Sequence, residues 1–320
     1  MNKATPIMTL GPMKVFGGTA HRELVRSICA ELDIDQGAVE LNRFSDGEVY
    51  CQVLDNVRGA DVFVIQPTCP PAENLLELLL LMDALKRASA SRVTAVIPYY
   101  GYARQERKDK PRVPITAKLI ADLIEAAGAD RVLTMDLHAP AIQGFFKVPV
   151  DHLYAAPVMV EHIKSLGLEN VVIVSPDAGG VERARFYSKR SSADLAIIDK
   201  RRTTPGVAES VQVIGEVHGR ECIIVDDIID TGGTLMGSVR ALRDAGARSV
   251  HGCFTHAVLS GPAAERLAEA SIESITVTDT IPLDATKKSI EKLEILSVAP
   301  LLAEAIKRTH THQSISSLFV

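Results

Sequence analysis

Residues 222–234 read CIIVDDIIDTGGT. The unbroken apolar run from Cys222 to Val225 is what a strand covered on both faces of a parallel sheet requires. Two adjacent carboxylates, Asp226 and Asp227, follow at once, and Asp230 then leads into the small, hydroxylated turn Thr231, Gly232, Gly233, Thr234. Glycines let backbone N–H groups approach an anion, threonine hydroxyls add donors, and the dipole of a following helix favours negative charge. That is the chemistry of a phosphate cradle. The paired carboxylates would repel phosphate but suit a vicinal diol, whose hydroxyls donate hydrogen bonds, or a hydrated Mg2+. A diol beside a phosphate is a sugar phosphate.

Residues 175–183, SPDAGGVER, again follow an apolar strand and again join a carboxylate, Asp177, to a small turn, Ala178, Gly179 and Gly180. A second anion-accommodating loop in the same half makes diphosphate a natural partner for the other end of the ligand. The basic loop DKRRTTPG, 199–206, has no apolar anchor, and its Lys200, Arg201 and Arg202 could close over charge developing on phosphate oxygens. In the first half, YYGYARQERKDKPR (99–112) lacks a helical apolar stripe. It reads either as a solvated charged loop or as a polyphosphate or adenine contact through Arg104. RFSDGE (43–48) reads most simply as a turn before the strand-like VYCQV, and DLHA (136–139) sets His138 at a strand end, where a lone histidine is more often structural than catalytic. HTH at 310–312 reads as a polar tail. No GxxxxGK[ST] loop, GxGxxG fingerprint, HExxH or CxxC is present.

Stepping from these loops to the elements that carry them, short β-branched strands (93–97, 131–135, 170–174, 222–225) alternate with helical patterns, as in α/β layers on a parallel sheet. One helix is expected after Pro114, capped by Thr116 and ended by Gly128. GADVFVIQPT at 59–68 and GRECIIVDDI at 219–228 lie 160 residues apart, and ALKRASASRV at 84–93 matches ALRDAGARSV at 241–250. The order of strand, loop, helix and strand is the same in both, so the chain reads as two copies of one α/β domain. The first carries QPTCPPAEN where the second carries its carboxylates and glycines. At 320 residues, 47% hydrophobic and 23% charged, there is material for two such cores. A net charge of -5 argues against general affinity for nucleic acid or anionic membrane while allowing local basic patches, and no stretch approaches the roughly 18 apolar residues of a membrane span. The N-terminus shows no secretory signal, and five scattered cysteines fit reduced core residues of a cytoplasmic protein.

VDDIIDTGGT resembles the phosphoribosyl diphosphate motif of the type I phosphoribosyltransferases. Together with FSDGE, YARQERKDKPR, DLHA followed by IQGFF, SPDAGG and DKRR, the chain from about residue 13 to SISSLF at 314–319 resembles the class I ribose-phosphate diphosphokinase family. The resemblance implies two tandem type I phosphoribosyltransferase-like domains, 10–155 and 156–320, each a mainly parallel sheet flanked by helices. It implies transfer of the β,γ-diphosphate of MgATP to the 1-hydroxyl of ribose 5-phosphate. Asp230, Thr231, Gly232, Gly233 and Thr234 would hold the 5-phosphate, Asp226 and Asp227 the ribose hydroxyls and their metal, and Asp177 to Gly180 the diphosphate. Phe44, Asp46, Glu48, Arg104, Gln105 and His138 would bind ATP, with His138 and Asp177 at its Mg2+, and Lys200 and Arg202 would be catalytic. The resemblance also implies a homohexamer, with inorganic phosphate and ADP as effectors at Arg58, Asp61, Arg112, Gln143, Ser314 and Ser316. One departure stands in the magnesium turn: the family reads DLHAxQIQGFF and this chain DLHAPAIQGFF, so Ala141 replaces an amide beside Pro140. The rival expectations are a phosphoribosyltransferase that consumes the diphosphate, which would lack the ATP segments, and a non-catalytic regulator, which would lose the basic loop.

Overall fold

A computed structural model describes residues 11–201 and 210–319. The chain divides into two compact units, one running to Leu153 and resumed from Ala299, the other spanning Tyr154–Val298. The first contains β1 (Met13–Gly17), α1 (Arg22–Glu31), β2 (Val39–Arg43), β3 (Val49–Val53), β4 (Asp61–Ile65), α2 (Glu73–Arg87), β5 (Arg92–Ile97), α3 (Thr116–Ala126), β6 (Arg131–Met135) and β7 (Val150–Leu153). The second contains α4 (Ala156–Ser165), β8 (Val171–Ser175), α5 (Val181–Ser191), β9 (Asp194–Arg201), β10 (Ser210–Ile214), β11 (Glu221–Ile229), α6 (Gly233–Asp244), β12 (Ser249–Ala257), α7 (Ala263–Glu269), β13 (Ser274–Thr278), α8 (Ala285–Lys288) and β14 (Leu293–Leu296). The last long helix, α9 (Ala299–His310), belongs to the first unit.

That return corrects the expected boundary, which kept 156–320 in one domain. Its cause is both apolar and ionic. Helix α9 buries Leu302, Ala303, Ala305 and Ile306 and packs on α1, whose own apolar face is Leu24, Val25, Ile28 and Cys29. Each fully buried leucine or isoleucine contributes about 1.5–3 kcal/mol. At its end, His310 Nδ1 lies 2.8 Å from Asp61 Oδ2, and Arg92 Nη2 donates to the Thr309 carbonyl at 3.0 Å. The expected polar tail is therefore in part an anchor, because a histidine set among exposed residues in the sequence has a buried carboxylate waiting in β4.

In the first unit β1-β4-β5-β6-β7 form a parallel sheet, with β2 and β3 as a separate antiparallel hairpin. In the second the order is β10-β9-β8-β11-β12-β13-β14, parallel except for β10. The run β8-β11-β12-β13-β14 thus repeats β1-β4-β5-β6-β7, and in each unit two strands are interposed between the first and second of the run. The central strands are apolar on both faces because helices cover both: every residue of β4 is buried, as are Cys222 to Val225 of β11.

Two local expectations change. Strand β11 does not stop before its carboxylates; it stays paired with β12 through Asp226↔Phe254, Ile228↔His256 and Ile229↔Ala257. Helix α3 begins at Thr116 itself, with Ile115 in the capping position, because the Thr116 hydroxyl donates to Gln105 Oε1 at 2.6 Å instead of capping.

Candidate active site

Strands β8 and β11 are hydrogen-bonded neighbours running parallel, so the turns leaving their carboxyl ends open side by side, where ligands of parallel α/β sheets bind. Because β11 continues past its apolar run, Asp226 and Asp227 stand on a strand rather than in a loop. Asp226 keeps partial exposure while Asp227 is buried. One side chain reaches both: Arg183 Nη1, from α5, lies 2.8 Å from Asp226 Oδ1 and 2.9 Å from Asp227 Oδ1. Burial first, and then the neighbouring charge and hydrogen bond of Asp227, push the Asp226 carboxyl up to about 7, with Arg183 opposing the rise. The corner therefore holds two carboxylates under one guanidinium, which occupies the position of a cation between them.

The glycine-rich turn is built on the next corner. Gly232, at φ 75°, is in the left-handed region that glycine tolerates and forms the N-cap of α6. The turn is fixed from outside by two groups. Ser260 Oγ donates to Asp230 Oδ1, and Arg266 Nη1 donates to the Thr231 carbonyl at 2.9 Å. Arg266 thereby brings a positive charge to the edge of the turn, close to Gly233. Ahead of α5, Asp177 Oδ1 accepts from Gly180 N at 2.9 Å and its carbonyl accepts from Ser175 Oγ at 2.7 Å. A Cβ at Gly180 would meet Ser175 Oγ at 2.9 Å, which explains the second glycine. The backbone of Asp199 to Arg201 is the end of β9, paired with Ser210 to Gln212 of β10, so Lys200 is on a strand end and not in the expected free loop. Arg202 lies outside the described residues.

The first unit repeats the corner with different contents. Counting outward from the equivalent pairs Met13↔Asp61 and Val171↔Glu221 sets Gln66 at the place of Asp226 and Thr19 at that of Asp177. Here Glu77 of α2 accepts from Thr19 N at 2.8 Å, from Thr19 Oγ1 at 2.7 Å and from Gln66 Nε2 at 3.0 Å. A carboxylate of the protein itself fills this corner.

Elsewhere in the first unit, Arg104, Gln105 and His138 line one cavity of about 470 Å³ together with Lys110 and Pro114. His138 is exposed on the turn after β6. That turn is held by His152, whose Nε2 accepts from Leu137 N at 2.8 Å and whose Nδ1 lies 3.2 Å from the Gln143 amide nitrogen. Phe44, Asp46 and Glu48 are not among that cavity's lining residues; they form the tip joining β2 to β3, with Phe44 54% exposed and edge-on to Tyr50. His138 belongs to the first unit and Asp177 to the second.

The six candidate regulatory residues are dispersed. Ser314 and Ser316 line a cavity of about 340 Å³ with Arg92 and Arg131. Asp61 is fully buried and bidentate with Arg92, at 2.7 Å twice, so it bears on that cavity through Arg92 and His310 rather than by touching a ligand. Gln143 is spent on the turn beside His152, and Arg58 and Arg112 are exposed, Arg112 at φ 65°. Among the described residues no group of three or more histidine, cysteine or acidic side chains is arranged to hold a metal, and no helix is long and apolar enough to cross a membrane.

Sequence reading missed Arg183, Arg266, Ser260, His152 and Glu77. Arg183 was within the quoted SPDAGGVER, and its place one helical turn beyond the glycines was the available signal. The others come from distant elements and leave none.

Parallel sheets flanked by helices, with an acidic pair and a glycine-rich turn at one carboxyl edge, define an α/β enzyme that works on phosphorylated ligands. The N-terminal domain of ribose phosphate pyrophosphokinase matches residues 13–128, and the phosphoribosyl synthetase-associated domain matches residues 201–320. The chain is 55% identical to a ribose-phosphate pyrophosphokinase of Rhodopirellula baltica, over 96% of this chain and 98% of that one. It is 54% identical to the protein of the same name from Caldanaerobacter subterraneus, with the same coverage. A crystal structure of phosphoribosylpyrophosphate synthetase from Mycobacterium smegmatis superposes with a TM-score of 0.89 at 42% identity, over 94% of this chain and all of that one. The chain belongs to the ribose-phosphate pyrophosphokinase family, enzymes of diphosphate transfer.

Proposed function

We propose that this protein is a ribose-phosphate pyrophosphokinase that transfers the β,γ-diphosphate of ATP to the 1-hydroxyl of ribose 5-phosphate, releasing AMP. The observation that carries the reading is the second unit's double corner, where Asp226 and Asp227 share Arg183 beside the turn from Asp230 to Thr234. The turn's N–H groups and threonine hydroxyls take the 5-phosphate, with Arg266 adding charge at its edge. The acidic pair takes the ribose hydroxyls, and the turn from Asp177 to Gly180 faces the diphosphate.

Diphosphate transfer asks for in-line placement of the sugar oxygen and neutralisation of charge on the phosphate oxygens, with no covalent enzyme intermediate. The new bond forms from O1 to the β-phosphorus, the bond to the α-phosphate oxygen breaks, and AMP leaves. Carboxylate oxygens are hard donors suited to Mg2+, and Arg183 already shows that the pair accepts a shared cation. Bound Mg2+ at Asp226 and Asp227 would neutralise phosphate charge, and His138 in the first unit and Asp177 in the second are each assigned as Mg2+ donors. Lys200 and Arg202 are assigned to the charge that builds on the transferring group.

Arg104, Gln105 and His138, gathered in one cavity, support a nucleotide site there. The exposed tip bearing Phe44, Asp46 and Glu48 fits a site completed by a second copy, consistent with a homohexamer. Phosphate and ADP as effectors at the Ser314 and Ser316 cavity, and a cytoplasmic location, complete the proposal. The experiment is direct: purified protein mixed with MgATP and ribose 5-phosphate releases AMP in step with loss of ATP. Absence of AMP at every phosphate concentration removes the assignment. A regulator without activity is disfavoured because the sequence keeps the basic residues Lys200 and Arg202.

A further inference from the structure

A third cavity, of about 450 Å³, opens in the first unit between the start of α1 and the strand β2, lined by none of the candidate catalytic, nucleotide or regulatory residues. Its polar lining is Thr19, Arg22, Arg26, Gln36, Glu40 and Asn42. Arg22 and Arg26 stand four residues apart on α1, so both guanidinium groups present to the same face and repel one another. Both are exposed, and neither makes a hydrogen bond or ion pair with any described residue. The other cations close to sheet corners do have partners: Arg183 has Asp226, Lys14 has Asp55 and Arg92 has Asp61. Across the cavity from α1, on β2, the Asn42 amide donates to Glu40 Oε1, and Gln36 lines the same cavity.

We propose that this cavity binds a phosphate monoester carrying hydroxyl groups, with its phosphate between Arg22 and Arg26 and its hydroxyls on Glu40, Asn42 and Gln36. Two unpartnered guanidinium groups match the bidentate geometry of a phosphate. The carboxylate across from them rejects a second anionic group and accepts from hydroxyls, which selects a monoester over a polyphosphate. Two backbone donors at the helix start are already used, since Glu77 holds Thr19 N and His21 caps Leu24 N. The volume is in the range of small-molecule sites, about 300–1,000 Å³. Sugar phosphates and nucleoside monophosphates share the required chemistry.

The test is hydrogen exchange on the full chain with ribose 5-phosphate, AMP or inorganic phosphate added separately. The amides of residues 22–27 and 39–42 are expected to slow at least threefold with ribose 5-phosphate or with AMP, the responding arm naming the source, and to be unmoved by inorganic phosphate. In R22Q/R26Q that protection disappears while the thermal midpoint and the ribose 5-phosphate protection of residues 230–236 persist; R22K/R26K keeps part of it. Equal protection by inorganic phosphate, meaning an adventitious ion only, overturns the proposal, as does no protection by either ester or full protection in R22Q/R26Q.

Discussion

The two units present the same corner in two conditions. In the second, strand β8 leads into Asp177 and strand β11 carries Asp226 and Asp227, which share the cation Arg183, with glycines in the turns that follow. In the first, the equivalent strands β1 and β4 end in Thr19 and Gln66, and the anion position is taken by Glu77 from within. The difference is between carboxylates that await a diol and cation, and donors that are already satisfied. A donor set satisfied by the protein's own carboxylate stabilises the fold, whereas an acidic pair whose burial raises Asp226 is held at the expense of stability.

The comparison is broken most severely at Gly232. Valine there, at φ 75°, both strains the backbone and fills the phosphate turn, so Gly232→Val is expected to lower kcat/KM for ribose 5-phosphate by about a thousandfold, roughly 4 kcal/mol. Steady-state kinetics on the folded variant checks it, and a loss under tenfold would detach the turn from the substrate.

Glu77→Ala attacks the other corner. It strips the acceptor from Thr19 N, Thr19 Oγ1 and Gln66, and the donors left behind, of which the Gln66 amide is fully buried, cost about 1–3 kcal/mol of stability, read from urea unfolding. Turnover per folded molecule stays within about twofold of wild type, since no reacting group has moved.

The smallest effect is the most diagnostic. Asp226 has its carboxyl raised from 3.8 to about 7, so between those values the folded chain binds more protons than the unfolded one. The stability it contributes is present below about pH 4 and is lost as pH rises through about 7. Asp226→Asn removes that loss and should be more stable than wild type at pH 8, with no gain at pH 4. Thermal melts at the two values decide it; a variant less stable at both would mean that Arg183 pairing outweighs the burial of the charge.

Much of this was legible in the residues. The strand 131–135 and the β/α alternation followed from apolar runs and turn residues, and the repeat GADVFVIQPT against GRECIIVDDI foretold two sheets of one topology. What stayed hidden depended on distant partners. Asp226 and Asp227 read as a loop because charges usually end a strand, yet β12 supplies pairing that carries β11 past them. His310 read as tail because Asp61 lies 249 residues away in sequence. QPTCPPAEN marked a changed pocket, but its plug came from Glu77, further along in α2.

The most direct test sets the corners against each other in one assay, AMP release from MgATP with ribose 5-phosphate by wild type, Asp227→Asn and Glu77→Gln. The second-unit variant is expected to lose about a hundredfold or more in kcat/KM, and the first-unit variant to stay within about threefold. An unimpaired Asp227→Asn together with an inactive Glu77→Gln would place the chemistry at the wrong corner and contradict the account.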